Sequence, residues 1–479
     1  MYSFLGFSSL VQKTARLCTV TRRSPAMFAM ICTLKRTDYL VLPLLATGFA
    51  TYQIDRTNIA SALTGGFASA ISVDQNTINL GNQLLFLGVI LLEIPSNMAL
   101  QRVGPRRWIG AQVFIFGVLA ALQIFIRNRT GFLITRAVLG LAEAGYIPAA
   151  MYTLSTWYTK EQLTKRIAIF FFGMFGGAAI APLLGAALLK LDGRGGIAGW
   201  KWIFLVEGLW SIIMALLLFT GLPDRPPHSP QSNSPTTSNS NSDSDSSSSL
   251  DKPTTDKLPA NPPSSPADDR IPWSLVYKTI TNTAKWPHFL ATGCVFATWS
   301  PLTTYTPSII MSLGFDRITA NALAAIGSLI TLPVIFFFAW LSDRSRRRGC
   351  TVLLAIGSYL VALVVLRTVQ PHVGRWGHVG LWTMVNGLAV GYHPVHNAWI
   401  QVNCESAGER SIIVMSATAG LMAGSQIFQG DEADDFYPKG LVIMIALVAV
   451  GFGLVVVQMG IYQFTDRRNG GLVEEECWE

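Results

Sequence analysis

The chain has 479 residues, half of them hydrophobic and only 13% charged, with a mean hydropathy of +0.40. Such a balance excludes an ordinary soluble globular protein, in which about a quarter of residues carry charge. The net charge of +8 invites an anionic partner such as nucleic acid, but most of the 36 Lys and Arg sit in the termini and in alternate loops between apolar runs. That distribution is the positive-inside bias of a membrane protein, and it explains the basic balance with no nucleic acid. Cys18, Cys32, Cys294, Cys350, Cys404 and Cys477 are scattered with no close pair, so neither a disulfide nor a metal site is expected.

Apolar runs of about 20 residues predict twelve spans, near 38–60, 78–98, 108–126, 131–155, 167–190, 200–222, 288–311, 319–341, 351–369, 378–402, 411–430 and 440–464. The fold class is therefore an all-α polytopic membrane protein. Residues 1–37 are basic and rich in Ser and Thr, features shared with organellar transit peptides. Basic residues before a first span also satisfy the positive-inside rule, and the segment reads as a cytosolic tail. A first six-helix half over 38–223, a linker over 224–287, a second half over 288–464 and a cytosolic tail over 465–479 complete the expected organisation.

Span 1 carries TYQIDRTNIA, placing Asp55, Arg56 and Asn58 toward the outer end of an apolar helix. Adjacent helical residues point about 100° apart, so Asp55 and Arg56 each need a partner on another helix. Span 2 contains Glu93, Pro95, Ser96 and Asn97, then turns at Gly104 and Pro105 into Arg106 and Arg107. A related loop, AWLSDRSRRRG with Asp343 and Arg344, follows span 8, and two such turns in corresponding places indicate an internal repeat with a central site. Asn128-Arg129-Thr130 fits a glycosylation sequon in a short outer loop, too close to the membrane to be used.

Span 4, GFLITRAVLGLAEAGYIPAAMYTLSTWY, is where intramembrane charge concentrates. Arg136 and Glu143 are seven residues apart, nearly two turns, so they share a face. Each costs about 2.5–3.5 kcal/mol at membrane depth, which directs that face at a cavity or a partner helix. Gly140, Ala144 and Gly145 leave room for a neighbour's backbone. Gly173, Gly177, Pro182 and Gly185 in span 5 suit close packing and a kink. The stretch from residue 224 to 270, rich in Ser, Pro, Asn and Asp, cannot bury a core and reads as a disordered tether between the halves.

The second half is poorer in intramembrane charge. Trp299, Thr303, Thr304 and Tyr305 surround Pro301 in span 7, and Tyr392, His393, His396, Asn397, Trp399 and Asn403 fall in span 10. These are hydrogen-bonding and stacking groups suited to a ligand. His393 and His396 have metal-like spacing, but Pro394 lies between them with no nearby carboxylate or Cys, so packing and interhelical hydrogen bonds are the expected role.

The ordered set Asp55-Arg56-Thr57-Asn58, Pro95-Ser96-Asn97, Gly104-Pro105-Arg106-Arg107, Arg136 through Glu143-Ala144-Gly145 to Trp157-Tyr158, Asp192-Gly193, Gly199-Trp200-Lys201-Trp202, Asn397-Ala398-Trp399 and Asn403 resembles a fungal member of the anion:cation symporter family of the major facilitator superfamily. That family includes the allantoate, nicotinate and pantothenate permeases, and the resemblance runs from Lys35 to Arg468. It implies the major facilitator fold and proton-coupled uptake of a small organic anion by alternating access, with no cofactor and no enzymatic activity. Arg56 and Arg136 would attract the anion, with Asn58, Tyr305, His393, Asn397 and Trp399 completing the site. Asp55 and Glu143 would carry the coupling proton, and Gly104, Arg106, Arg107, Asp343 and Arg344 would belong to the gating loops. Gln101 stands where the family's loop has an acid, and Ala339 where it has a glycine. The expected partners are the anion, protons and the bilayer, the expected state a monomer in the plasma membrane with both termini cytosolic. Export of an anionic metabolite is the rival transport reading, and a non-transporting membrane receptor the rival of another class.

Overall fold

The computed structural model describes residues 25–158, 160–223, 281, 283–402 and 407–468. The basic segment before residue 25, nearly all of the tether, Asn403 and the tail beyond residue 468 lie outside the described residues. Among those described, the chain is helical, joined by turns and short 3-10 segments, with no strand. The first half contains α1 (Pro25–Thr64), α2 (Phe67–Ala70), α3 (Gln75–Val103), α4 (Pro105–Leu122), α5 (Arg129–Glu143), α6 (Tyr146–Trp157), α7 (Lys160–Leu189) and α8 (Gly199–Gly221). The second contains α9 (Trp286–Ala297), α10 (Trp299–Ser312), α11 (Arg317–Ser345), α12 (Arg348–Val369), α13 (Arg375–Leu388), α14 (His393–Val402), α15 (Ala407–Gly424) and α16 (Pro438–Arg468).

Eight helical stretches among the described residues are long and apolar enough to cross a bilayer, α5 and α6 together forming one of them. Spans 1, 7, 10 and 11 fall short for local reasons. Span 1 carries Thr51, Gln53, Asp55, Arg56, Thr57 and Asn58 within two turns, and the apolar helix described in span 11 covers only Val414–Gly424. Spans 7 and 10 are interrupted.

Proline places the interruptions. Its ring clashes with the carbonyl four residues earlier and its nitrogen donates no hydrogen bond. Pro148 sits four residues after Ala144, Pro301 four after Ala297 and Pro394 four after Val390, and the helix breaks at each of these positions. In span 4 the break is sharpest: Ala144 is extended and Gly145 is left-handed at φ +87°. A side chain at Gly145 would also come within 2.3 Å of Ser96 Oγ, so a non-glycine residue is excluded both by conformation and by space.

The helices pack by a scheme that repeats. In the first half α1 lies on α7, α3 on α5 and α4 on α8, and in the second α9 lies on α15, α11 on α13 and α12 on α16. The halves meet where α3 touches α15 and α7 touches α11, which is the same pairing reached twice through the repeat. Glycines set the closest approaches. A Cβ on Gly173 or Gly177 would fall 2.1 or 2.5 Å from the carbonyls of Ala46 and Ala50; one on Gly420 or Gly424 would fall 2.3 or 1.9 Å from those of Gly293 and Ala297.

Polar groups turn inward and large apolar ones outward, with Leu91, Phe114, Ile115, Leu216, Phe336, Trp340 and Val361 exposed. A surface of that kind suits lipid. Three of the helices that begin on the face opposite the termini are capped there by a side chain. Asp74 accepts from Thr77 N at 3.2 Å, Asn128 from Gly131 N at 2.8 Å and Asp316 from Thr319 N at 3.1 Å. The sequon asparagine is thus a helix cap.

Candidate functional site

Arg56 and Arg136 reach one central cavity from different helices. Arg56, on α1, brings its Nε to 3.4 Å from Glu143 Oε2 at the end of α5. Its Nη1 donates to Tyr52 Oη at 2.8 Å, and its guanidinium lies over the Tyr52 and Phe86 rings at 5.0 and 4.8 Å. Tyr52 is one turn before Arg56 and stacks on Tyr146 at 5.4 Å, so the segment after the span 4 break steadies the arginine. Arg136 donates through Nη2 to Asn82 on α3, while its Nε and Nη1 are buried without a hydrogen-bond partner, as is Arg56 Nη2. Buried donors left in this way are costly and are expected only where something else completes them.

The rest of the wall is apolar and neutral-polar. Phe49, Phe86, Ile147, Phe171, Met174, Phe296, Trp299 and Leu421 form its apolar part, and Ser300, Thr303, Thr304, His393, Asn397 and Thr418 supply hydrogen-bonding groups. Asn397 Nδ2 meets His393 Nε2 at 2.8 Å. The charged groups lining the cavity are the two arginines of the first half, and the second half contributes neutral ones.

The cavity is shut toward the face opposite the termini. Ser61 donates to Asn321 Oδ1 at 2.8 Å and Asn321 Nδ2 to Thr64 Oγ1 at 2.7 Å. Gln75 and Asn79 donate to the Phe428 carbonyl at 3.1 and 2.8 Å, and Tyr305 Oη donates to Asn79. Arg317 pairs with Asp192 at 2.8 Å across the same face. The Gly199 amide and Arg317 both donate to the Asp192 carboxylate, holding its pKa below the usual range.

The structure therefore separates the residues singled out from the sequence. Arg56, Arg136, His393 and Asn397 line the cavity, and Glu143 adjoins it through Arg56. Asp55 turns away from the cavity to Ser211 on α8, and Asn58 is buried on that same side beside Glu207. Tyr305 belongs to the closed face, and Trp399 packs edge-on against His288 and Tyr462. His396 bonds His288 at 3.1 Å, tying α14 to α9. Tyr52, Asn82 and Phe86 were not singled out, although Asn82 is a polar residue in an apolar run and Tyr52 shares the face of Arg56.

Comparison with known proteins agrees with the fold. Residues 45–425 match the family model described as the Major Facilitator Superfamily. The chain belongs to that superfamily. An uncharacterized transporter of Saccharomyces cerevisiae is 24% identical over 441 residues, 89% of this chain and 80% of its own. The metabolite transport protein NicT of Pseudomonas putida is 34% identical over 190 residues, covering 38% of this chain and 42% of its own. A protein named as a tartrate transporter of Agrobacterium vitis is 32% identical over 202 residues, covering 40% and 43%. Among solved structures, the xylose transporter XylE from E. coli superposes with a TM-score of 0.64 at 10% identity over 86% of this chain and 95% of its own, and supports the fold. This major facilitator protein is a multi-pass membrane transporter and not an enzyme.

In this superfamily member the helices of spans 2 and 8 each end on a residue of positive φ, although Gly104 is extended at ψ 150° and Arg346 is left-handed at ψ 26°. Gly104 adopts φ +94° with its amide on the Leu100 carbonyl, and Arg346 adopts φ +51° with its amide on Ser342. Arg106 Nε donates to the Phe219 carbonyl at 2.5 Å, joining the first loop to the end of α8 within its own half. Arg107, Asp343 and Arg344 are exposed.

Proposed function

We propose that the protein takes up a small organic anion together with protons, the two halves rocking about the central cavity. The observation that carries this reading is the set of open guanidinium donors at the cavity: Arg136 is buried and Arg56 nearly so, and three of their N–H-bearing nitrogens are unpartnered even with the carboxylates of Glu143 and Glu93 close to Arg56. A carboxylate ligand would complete those donors, and the fork of Arg56 would grip it with two parallel bonds. Aromatic and hydroxyl groups across the cavity would read the remainder of the substrate. The regional similarity to proteins named for tartrate and metabolite transport supports an anionic cargo of modest size.

Coupling follows from competition for Arg56. Glu143 is the partner of Arg56. An incoming anion takes that guanidinium, and a buried carboxylate deprived of its cation is stabilised by gaining a proton. Cargo and proton then travel together, and both leave when the pair re-forms. The positive-inside bias supports cytosolic termini and a closed face outside, and the reading takes the protein as a monomeric carrier of the plasma membrane. The motif set supports placement near the allantoate permease group.

Binding of labelled organic anions, tartrate and nicotinate among them, to the purified protein tests the reading. Arg56→Lys keeps the charge and loses the fork, so affinity should drop roughly tenfold or more, about 1.4 kcal/mol. Arg56→Ala should abolish detectable binding. Wild-type affinity in Arg56→Ala would overturn the assignment.

A further inference from the structure

Behind the cavity, α1 and α8 enclose a second acidic site. Asp55 is fully buried, and its Oδ2 accepts from Ser211 Oγ at 2.6 Å. The same hydroxyl lies 3.0 Å from the backbone carbonyl of Glu207, one turn earlier on α8. Glu207 is 1% exposed, and its side chain is close enough to Asp55 for the two carboxyl groups to repel when ionised. Asp55 Oδ1 has no hydrogen-bond partner. Asn58, one turn beyond Asp55, is buried beside the Glu207 carboxyl group.

Among the described residues the surroundings supply no cation. From α1, Arg56 turns to the cavity and engages Glu143 and Tyr52. From α5 the neighbouring charge is Glu143, which is itself acidic. α4 meets α8 through small residues, Gly117 against Ser211 and Ala121 against Gly208. α10, which also packs on α1, contains no charged residue, and neither does α7 between Ile167 and Leu189. Two carboxylates in so dry a site cannot both ionise, in the same way that paired acids elsewhere share a proton.

We infer that Asp55 and Glu207 act as one acid pair holding a single shared proton, which makes Glu207 the second half of the proton site to which Asp55 belongs. The proton enters from water when the pair is accessible, resides on one carboxyl of the pair while the other stays ionised, and returns to water, with no other bond made or broken. The transport significance of the pair rests on the coupling role proposed for Asp55; its existence as a pair does not.

Infrared difference spectroscopy of the purified full-length protein, titrated without substrate, reads the shared proton as a protonated-carboxyl stretching band. In Glu207→Gln the amide can donate to Asp55 and the repulsion is gone, so the wild-type component of that band should disappear at a pH lower by about one unit or more, a tenfold change in proton concentration. Asp55→Asn should move the Glu207 component in the same direction, and Asp55→Asn/Glu207→Gln should abolish both. Coincident titrations in wild type and Glu207→Gln would show two independent acids and overturn the inference. Should Glu207→Gln fail to fold, Glu207→Asp retracts the carboxyl by one methylene and should give a smaller shift of the same sign; an unmoved band there overturns it equally. Loss of proton-driven uptake in Asp55→Asn is a separate measurement: if uptake survives with a shifted band, the pair stands and the coupling role of Asp55 falls.

Discussion

In the first half, Asp55, Glu93, Arg136, Glu143 and Glu207 are buried and Arg56 nearly so, whereas the matching interior of the second half holds His288, His393, His396, Asn321 and a run of hydroxyls among the described residues. Yet both halves use the same helix pairings, and α1–α7 and α9–α15 close on corresponding glycine-to-carbonyl contacts. Small residues and proline breaks thus specify the architecture, while the charges are free to specialise one copy of it. The cost of burying ionisable groups, about 2.5–3.5 kcal/mol each on insertion scales, falls almost wholly on one side. Such an expense is understandable if the first half reads charge and the second reads shape.

The most severe way to probe that contrast is through what the halves share. Gly177→Leu and Gly424→Leu would each drive a side chain into a facing backbone carbonyl, at 2.5 and 1.9 Å for the Cβ alone. Both should lower the yield of folded protein in the membrane by at least about tenfold, as overpacking that the backbone cannot relieve costs several kcal/mol. Fluorescence-detected size-exclusion of tagged variants would measure this, and a normal yield in one half alone would show that the repeat does not extend to packing tolerance.

Next in size is a change confined to the charged half. Glu143→Gln mimics the protonated acid, so the protein should fold and still exchange internal for external substrate, but should fail to accumulate it when the outside is acidified. Normal proton-driven accumulation in that variant would remove Glu143 from the coupling step, and retention inside the cell would make its ion pair with Arg56 structural.

The smallest effect belongs to the neutral half. Asn397→Ala removes a hydrogen-bonding group that lines the cavity beside His393, and a neutral bond of this kind contributes about 1 kcal/mol. Apparent affinity should weaken roughly three- to tenfold while the pH profile of uptake stays in place. A displaced profile would mean that the second half takes part in proton handling after all.

The sequence made the spans visible because apolar length is a one-dimensional property. It also showed that Arg136 and Glu143 share a face, and both are indeed buried on the inward side of α5. Neighbours across helices are a different matter. Asp55 and Arg56 each need a partner on another helix, and Arg56 finds Glu143, but Asp55 lies on the α8 side, where Ser211 and Glu207 are hidden inside an unremarkable apolar run. Asn58, Tyr305 and Trp399 have the chemistry of ligand-binding groups, and in this conformation their partners are other helices. Periodicity tells which way a side chain points on its own helix; what stands opposite depends on how that helix is rotated and crossed in the bundle.

The Asp192–Arg317 contact has a consequence for leakage. An acid with a lowered pKa contributes its bond fully above the ordinary carboxylate pKa and loses it only as the pH falls through the lowered value, so Asp192 keeps its negative charge through mild acidification. Under the proposed orientation this contact faces the acidic side. Were it to titrate along with the coupling carboxyls, acid alone would spring the outer door and the proton gradient would drain through an empty carrier. A latch that ignores the pH of its surroundings leaves the decision to open with the cargo.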